Sequence, residues 1–154
     1  MVNDSPGDRI LLLVEDNPDD VLLVRRALRR LALPVRLVTV EHGDAAVDYL
    51  HGAGAFADRV AHPLPDMLLL DLKLPRRSGH EVLSWVRQQP HLDGLPVVIL
   101  TSSSEEEDLR LAYRLHVNSY LRKPVAFAAL ESLLALVDSY WMRNNITPTI
   151  ARGS

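Results

Sequence analysis

The chain contains no cysteine, which excludes disulfides, thiolate metal sites and a cysteine nucleophile. No apolar stretch approaches the roughly 18 residues of a membrane span. The opening residues, Met1 to Asp8, are polar and lack a basic region, so they do not read as a secretory signal. Lysine is scarce: of seventeen basic residues, only Lys73 and Lys123 are lysines. The net charge of −3 supplies no general attraction for nucleic acid or anionic lipid, and neither is expected as a partner. The six histidines (42, 51, 62, 80, 91 and 116) show no metal-ligand spacing and read as surface or loop residues. What is left is 154 residues of ordinary composition, 47% hydrophobic and 24% charged. Such a chain fits one cytoplasmic domain that buries roughly two-thirds of its unfolded surface.

Four short apolar runs stand out. Ile10–Val14 leads into Glu15-Asp16, Met67–Leu70 into Asp71, Val97–Leu100 into Thr101, and Tyr120-Leu121 through Arg122 into Lys123-Pro124. Continuous runs of this length fit strands buried on both faces of a parallel sheet. In an open parallel α/β sheet the C-terminal strand ends share one edge, which is where such folds place their chemistry. Groups a hundred positions apart would then meet in one pocket.

The pattern reads as five strand–helix units. Asn17-Pro18 predicts a helix start, and Val21, Val24, Leu28 and Leu31 recur at helical steps. Asp19 and Asp20 fall in its first turn and Arg25, Arg26, Arg29 and Arg30 towards its end, as the helix dipole favours. A second strand is expected at Val35–Val40 and a short helix at Asp44–Leu50. Residues 52–65 read as a long connector. Helices are expected over Gly79–Gln88, after a capping box at Ser104–Glu107 (or from Ser102 or Ser103), and over Ala126–Trp141. The fifth strand spans about Ser119–Leu121, and the last dozen residues look irregular.

The strand-end residues suggest a chemistry. Glu15, Asp16 and Asp71 would repel one another and titrate as a coupled set, and a hard divalent cation such as Mg²⁺ would relieve that repulsion. An Asp carboxylate can attack a phosphoryl donor to give an acyl phosphate. Lys123 would neutralise the added charge and the Thr101 hydroxyl could donate to it. Taken singly, each strand-end acid reads sooner as a helix cap, and Thr101 as an ordinary strand residue.

Together, Val14-Glu-Asp16, Leu70-Asp71-Leu-Lys-Leu-Pro75 with Gly79, Leu100-Thr-Ser102 and Lys123-Pro124 resemble the receiver domain of bacterial two-component response regulators, of the chemotaxis-regulator type. The resemblance runs from residue 9 to about 141. It implies a flavodoxin-like (βα)5 doubly wound fold with a five-stranded parallel sheet in the order 2-1-3-4-5. It also implies a phosphoacceptor, Asp71, that takes its phosphoryl group from a sensor histidine kinase and loses it by slow autodephosphorylation, without being an enzyme. Mg²⁺ would be held by Glu15, Asp16, Asp71 and the backbone carbonyl of Lys73. Lys123 and Thr101 would stabilise the phosphoryl group, Thr101 and Tyr120 would form the switch, and the bond before Pro124 would be cis. Lys73 and Ser103 occupy the positions thought to tune dephosphorylation. A finer resemblance, carried by Val14–Asp20, Leu115–Pro124, the long connector and Tyr140-Trp141, is to single-domain regulators of bacterial phytochrome kinases, which often form homodimers.

The expected organisation is a disordered N-terminus (1–8), a receiver domain (9–142) and a C-terminal tail (143–154) that could form an interface. Helix five carries two apolar rows, one of Phe127, Leu130, Leu134, Val137 and Trp141, the other of Ala129, Leu133, Leu136 and Tyr140. Either the helix is deeply packed, or Leu133, Leu136 and Tyr140 meet a second copy. Too little chain follows for an output domain, so output is expected through protein contact or onward phosphotransfer. Glu105–Asp108 reads as a solvated helix start rather than a metal site. Two other classes stay in view. An Asp-nucleophile phosphohydrolase would want a second Asp where Lys73 stands. A flavodoxin-like small-molecule binder would want a glycine-rich loop where Glu15–Pro18 stands.

Overall fold

A computed structural model describes residues 8–148. The alternation of strand and helix appears as β1 (Arg9–Val14), α1 (Pro18–Arg30), β2 (Val35–Val40), α2 (Gly43–His51), β3 (Met67–Leu70), α3 (Gly79–Arg87), β4 (Val97–Thr101), α4 (Glu106–Arg114), β5 (Ser119–Arg122) and α5 (Phe127–Val137). All neighbouring strands are parallel and lie in the order β2-β1-β3-β4-β5, as the resemblance implied.

The two-residue period of the strands divides the core into two layers. Leu12, Val14, Leu68, Leu70, Val97 and Ile99 pack with α2 and α3 on one face. Leu11, Leu13, Met67, Leu69, Val98 and Leu100 pack with α1 and α5 on the other. From Ile10 onward in β1, and throughout β3 and β4, the central strands are therefore buried, which is why their sequences show no polar alternation.

Local chemistry sets the helix ends. The Asn17 side chain accepts from the amide of Asp19 at 2.9 Å and starts α1. His42 starts α2, its Nδ1 accepting from the Ala45 amide at 3.0 Å, a role the surface reading of the histidines missed. The expected capping box at Ser104–Glu107 is not formed. α4 begins at Glu106 without a side-chain cap, and the Ser103 hydroxyl just before it accepts from the Glu105 amide and donates to Asp108. A capping box does form at α3, between Ser78 and Glu81.

The 52–65 connector is built rather than loose. Arg59 donates to the carbonyls of Tyr49, Leu50 and His62, Tyr49 donates to Pro63, and Phe56 and His62 pack against the Tyr49 ring. Helix five also outlasts its expected end at Trp141, continuing as a π-helical turn over Asp138–Asn144. Buried Asp138 accepts from Arg143 at 2.6 Å, and the Trp141 indole donates to Ser119 at 3.1 Å. The N-terminal segment expected to be disordered and the end of the tail lie outside the described residues, apart from Asp8 and 143–148.

Candidate functional site

The C-terminal edge of the sheet gathers the predicted groups. β1 delivers Glu15 and Asp16, and β3 delivers Asp71, in a register that pairs Val14 with Leu70. Carboxylate oxygens of Glu15, Asp16 and Asp71 lie within 4.8 Å of one another. Glu15 and Asp71 are buried, and Asp16 is exposed. β5 brings in Lys123, whose amide is fixed by the Thr101 carbonyl at 2.8 Å.

The Lys123 ammonium sits among acids. It donates to Glu15 Oε1 at 2.5 Å, Asp20 Oδ2 at 2.9 Å and Asp71 Oδ2 at 3.0 Å. The other oxygen of Asp71 accepts from the Leu72 amide at 2.7 Å, so both oxygens of the carboxylate are held. Burial pushes the Glu15 carboxyl up to about 7, against the Lys123 hydrogen bond that pulls it down, with the Asp71 charge adding to the rise. Burial works to lower the Lys123 pKa, but its bonds to Glu15, Asp20 and Asp71 outweigh this and hold it above its usual value.

Asp20 is the member of this cluster that sequence reasoning missed, having been read as a helix-dipole residue only. The available signal was position: the first turn of α1 starts three residues after Glu15, so its carboxylates open onto the same edge. Gly79 supports the loop from below. A β-carbon there would lie 2.1 Å from the Asp71 carbonyl oxygen.

Other expected members have partners other than the acids. Thr101 is fully buried and its Oγ1 accepts from the Ser103 amide at 3.3 Å. Tyr120 is half-buried against the α2–α3 layer, and burial raises its pKa against the lowering pull of Ser103. The side chain of Lys73 turns to Asp108. The expected cis bond before Pro124 is corrected: no peptide bond among the described residues is cis, so Lys123–Pro124 is trans. Trans is the favoured state of such bonds by about 0.5–1 kcal/mol, and the ammonium reaches all three acids without the cis turn. On α5, Leu136 (68%) and Tyr140 (57%) are exposed, while Leu133 is half-buried.

The donor set fits a hard divalent cation: clustered carboxylates, one driven towards protonation by burial and a like charge. Glu15, Asp16 and Asp71 are the side chains that would hold it.

This fold and pocket define a phosphoryl-accepting signalling module, and comparison with known proteins agrees. The chain belongs to the response regulator receiver domain family, which matches residues 11–135. It is 44% identical to a probable methanogenesis regulatory protein, FilR2, of Methanothrix harundinacea, over 90% of this chain and 87% of that protein. The structure of the phosphorylated cyanobacterial phytochrome response regulator RcpA superposes with a TM-score of 0.85 at 35% identity, covering 93% of this chain and all of that one. The Mn²⁺-bound form of response regulator Rcp1, from Synechocystis sp., gives 0.82 at 35% identity, covering 92% of this chain and 99% of that one. No helix among the described residues is long and apolar enough to cross a membrane.

Proposed function

We propose that this response regulator accepts a phosphoryl group on Asp71 from the phosphohistidine of a sensor histidine kinase, a phytochrome, and among these a bacteriophytochrome, being the partner best supported by its relatives. The observation that carries the reading is the Lys123 ammonium bonded to both Asp71 and Glu15 in a largely buried pocket. In the transfer an oxygen of Asp71 attacks phosphorus, the phosphorus–nitrogen bond breaks, and its electron pair stays on the imidazole. Leu72 and Lys123 hold the nucleophile in one orientation, and Lys123 neutralises charge on the arriving group. Glu15, Asp16, Asp71 and the Lys73 carbonyl would hold Mg²⁺, which would supply the remaining positive charge. Thr101 and Tyr120 then shift together as the switch, the phosphate is lost slowly, and output passes through protein contact or onward phosphotransfer in the cytoplasm.

Incubation with Mg²⁺ and acetyl phosphate tests this. One labile, hydroxylamine-sensitive phosphate per chain, absent from Asp71→Asn, is the expected result. Turnover of many equivalents would indicate a phosphohydrolase instead.

We infer also that the protein pairs with a second copy through Leu133, Leu136 and Tyr140, two of which are large apolar groups open to water. Sedimentation of Leu136→Glu should show a smaller mass than the parent. A dimeric parent unaffected by the substitution would reject this face.

A further inference from the structure

Two side chains flank the acid pocket by their place in the chain: Lys73, two residues beyond Asp71, and Ser103, two beyond Thr101. Both turn onto one oxygen of Asp108 in the first turn of α4. Lys73 Nζ lies 3.2 Å from Asp108 Oδ2, and the Ser103 hydroxyl donates to the same atom at 2.6 Å. The Asp108 side chain is only 14% exposed. Its backbone is placed independently, with the carbonyl 2.9 Å from His80 Nε2 on α3. A lone surface ion pair would hold a lysine weakly. Here the acceptor is pre-set by a second partner and by the helix that carries it, which lowers the entropy cost of capturing the flexible ammonium.

The arrangement matters because of what lies beside it. Lys123 is the one ammonium bonded to Glu15, Asp20 and Asp71, and Asp16 adds a further carboxylate beside Glu15 and Asp71, so the pocket keeps an attraction for any further cation. Two residues of extended chain span roughly 7 Å. A lysine on a four-carbon stem at that distance from Asp71 is within reach of the acids when nothing else holds it. There it would compete with a divalent ion for the same charge.

We propose that Asp108 is a positioning residue that parks the Lys73 ammonium on α4 and so keeps the acid cluster open to its divalent cation. The inference rests on the cation-binding reading of Glu15, Asp16 and Asp71 given above. Lys73 thereby contributes its backbone carbonyl without its side chain intruding.

The test is Mn²⁺ binding to the full chain at low ionic strength, followed by the electron paramagnetic resonance of the free ion. Asp108→Asn, which keeps shape and removes charge, should weaken binding by roughly three- to tenfold, the scale of one added cation at several ångströms in a wet pocket. The deficit should shrink as salt screens the released lysine. Adding Lys73→Met to Asp108→Asn should recover most of the loss, since the competing ammonium is then gone. A helix merely weakened by losing Asp108 would gain nothing from that second change. Unchanged affinity in Asp108→Asn, or a double variant as weak as the single one, overturns the proposal. Asp108→Ala carries the same expectation should the asparagine variant fail to fold, which circular dichroism would reveal. Failure of the parent protein to bind Mn²⁺ would instead defeat the cation-binding reading itself.

Discussion

Replacing Lys123 with methionine removes the one ammonium that three carboxylates share. The Glu15 and Asp71 side chains are 4% and 8% exposed, so neither can turn to water, whereas Asp20 at 32% can. Taking away one partner of a buried ion pair costs about 3–5 kcal/mol. With Asp20 free to rehydrate, about 2–4 kcal/mol is expected at pH 8 without divalent cation. The loss should depend on pH in a definite direction. The folded protein holds the Glu15 proton up to about pH 7, against an ordinary value of 4.5. Between these values the folded state binds more protons than the unfolded chain, so stability falls as pH rises through the window. Without Lys123 the Glu15 carboxyl rises further, which makes the variant's deficit larger at pH 8 than at pH 5, where about half should remain. Mg²⁺ should narrow the gap at pH 8 by returning positive charge to the acids. Urea unfolding at both pH values, with and without Mg²⁺, measures this. An equal deficit at both, untouched by Mg²⁺, would show that the stem of Lys123 matters for packing and that its charge does not.

Gly79→Ala would drive a β-carbon against the Asp71 carbonyl and the Leu72 Cα, both backbone, so the phosphoacceptor loop must shift. Thermal unfolding should show a loss of about 1–3 kcal/mol, and acyl-phosphate formation should slow. Arg59→Ala removes three hydrogen bonds to the carbonyls of Tyr49, Leu50 and His62. A loss of about 2–3 kcal/mol is expected, with faster amide exchange in the 52–65 connector and an unchanged phosphorylation rate.

Much of the site could be read in advance because strand ends carry their neighbours' chemistry. Once Ile10–Val14 and Met67–Leu70 are recognised as buried parallel strands, Glu15, Asp16 and Asp71 must share an edge, and the structure places them there. The run Val97–Leu100 into Thr101 was legible for the same reason. Side-chain pairing was less legible. Asp20 and Asp108 each look like acids at a helix start, and only the packing of α1 and α4 against the pocket shows that one binds Lys123 and the other Lys73. The expected Ser104 cap does not form: α4 starts one residue later, with Glu105 at its N-cap position, and the neighbouring Ser103 hydroxyl takes the Glu105 amide and donates to Asp108. The connector hid its order in long-range contacts, with Arg59 reaching back to the end of α2. The π-helical turn after Val137 had no local signal beyond Asp138 and Arg143, whose spacing of five residues fits a widened turn.

Folding should make Asp71 the one carboxylate that captures phosphorus, and only with a divalent cation beside it. Borohydride reduction after treatment with acetyl phosphate converts an aspartyl phosphate to homoserine, which peptide mapping then locates. Homoserine is expected at position 71 alone when Mg²⁺ is present, and nowhere when a chelator replaces it. Reduction products at Glu15, Asp16 or Asp20, or labelling of Asp71 that ignores the chelator, would contradict it.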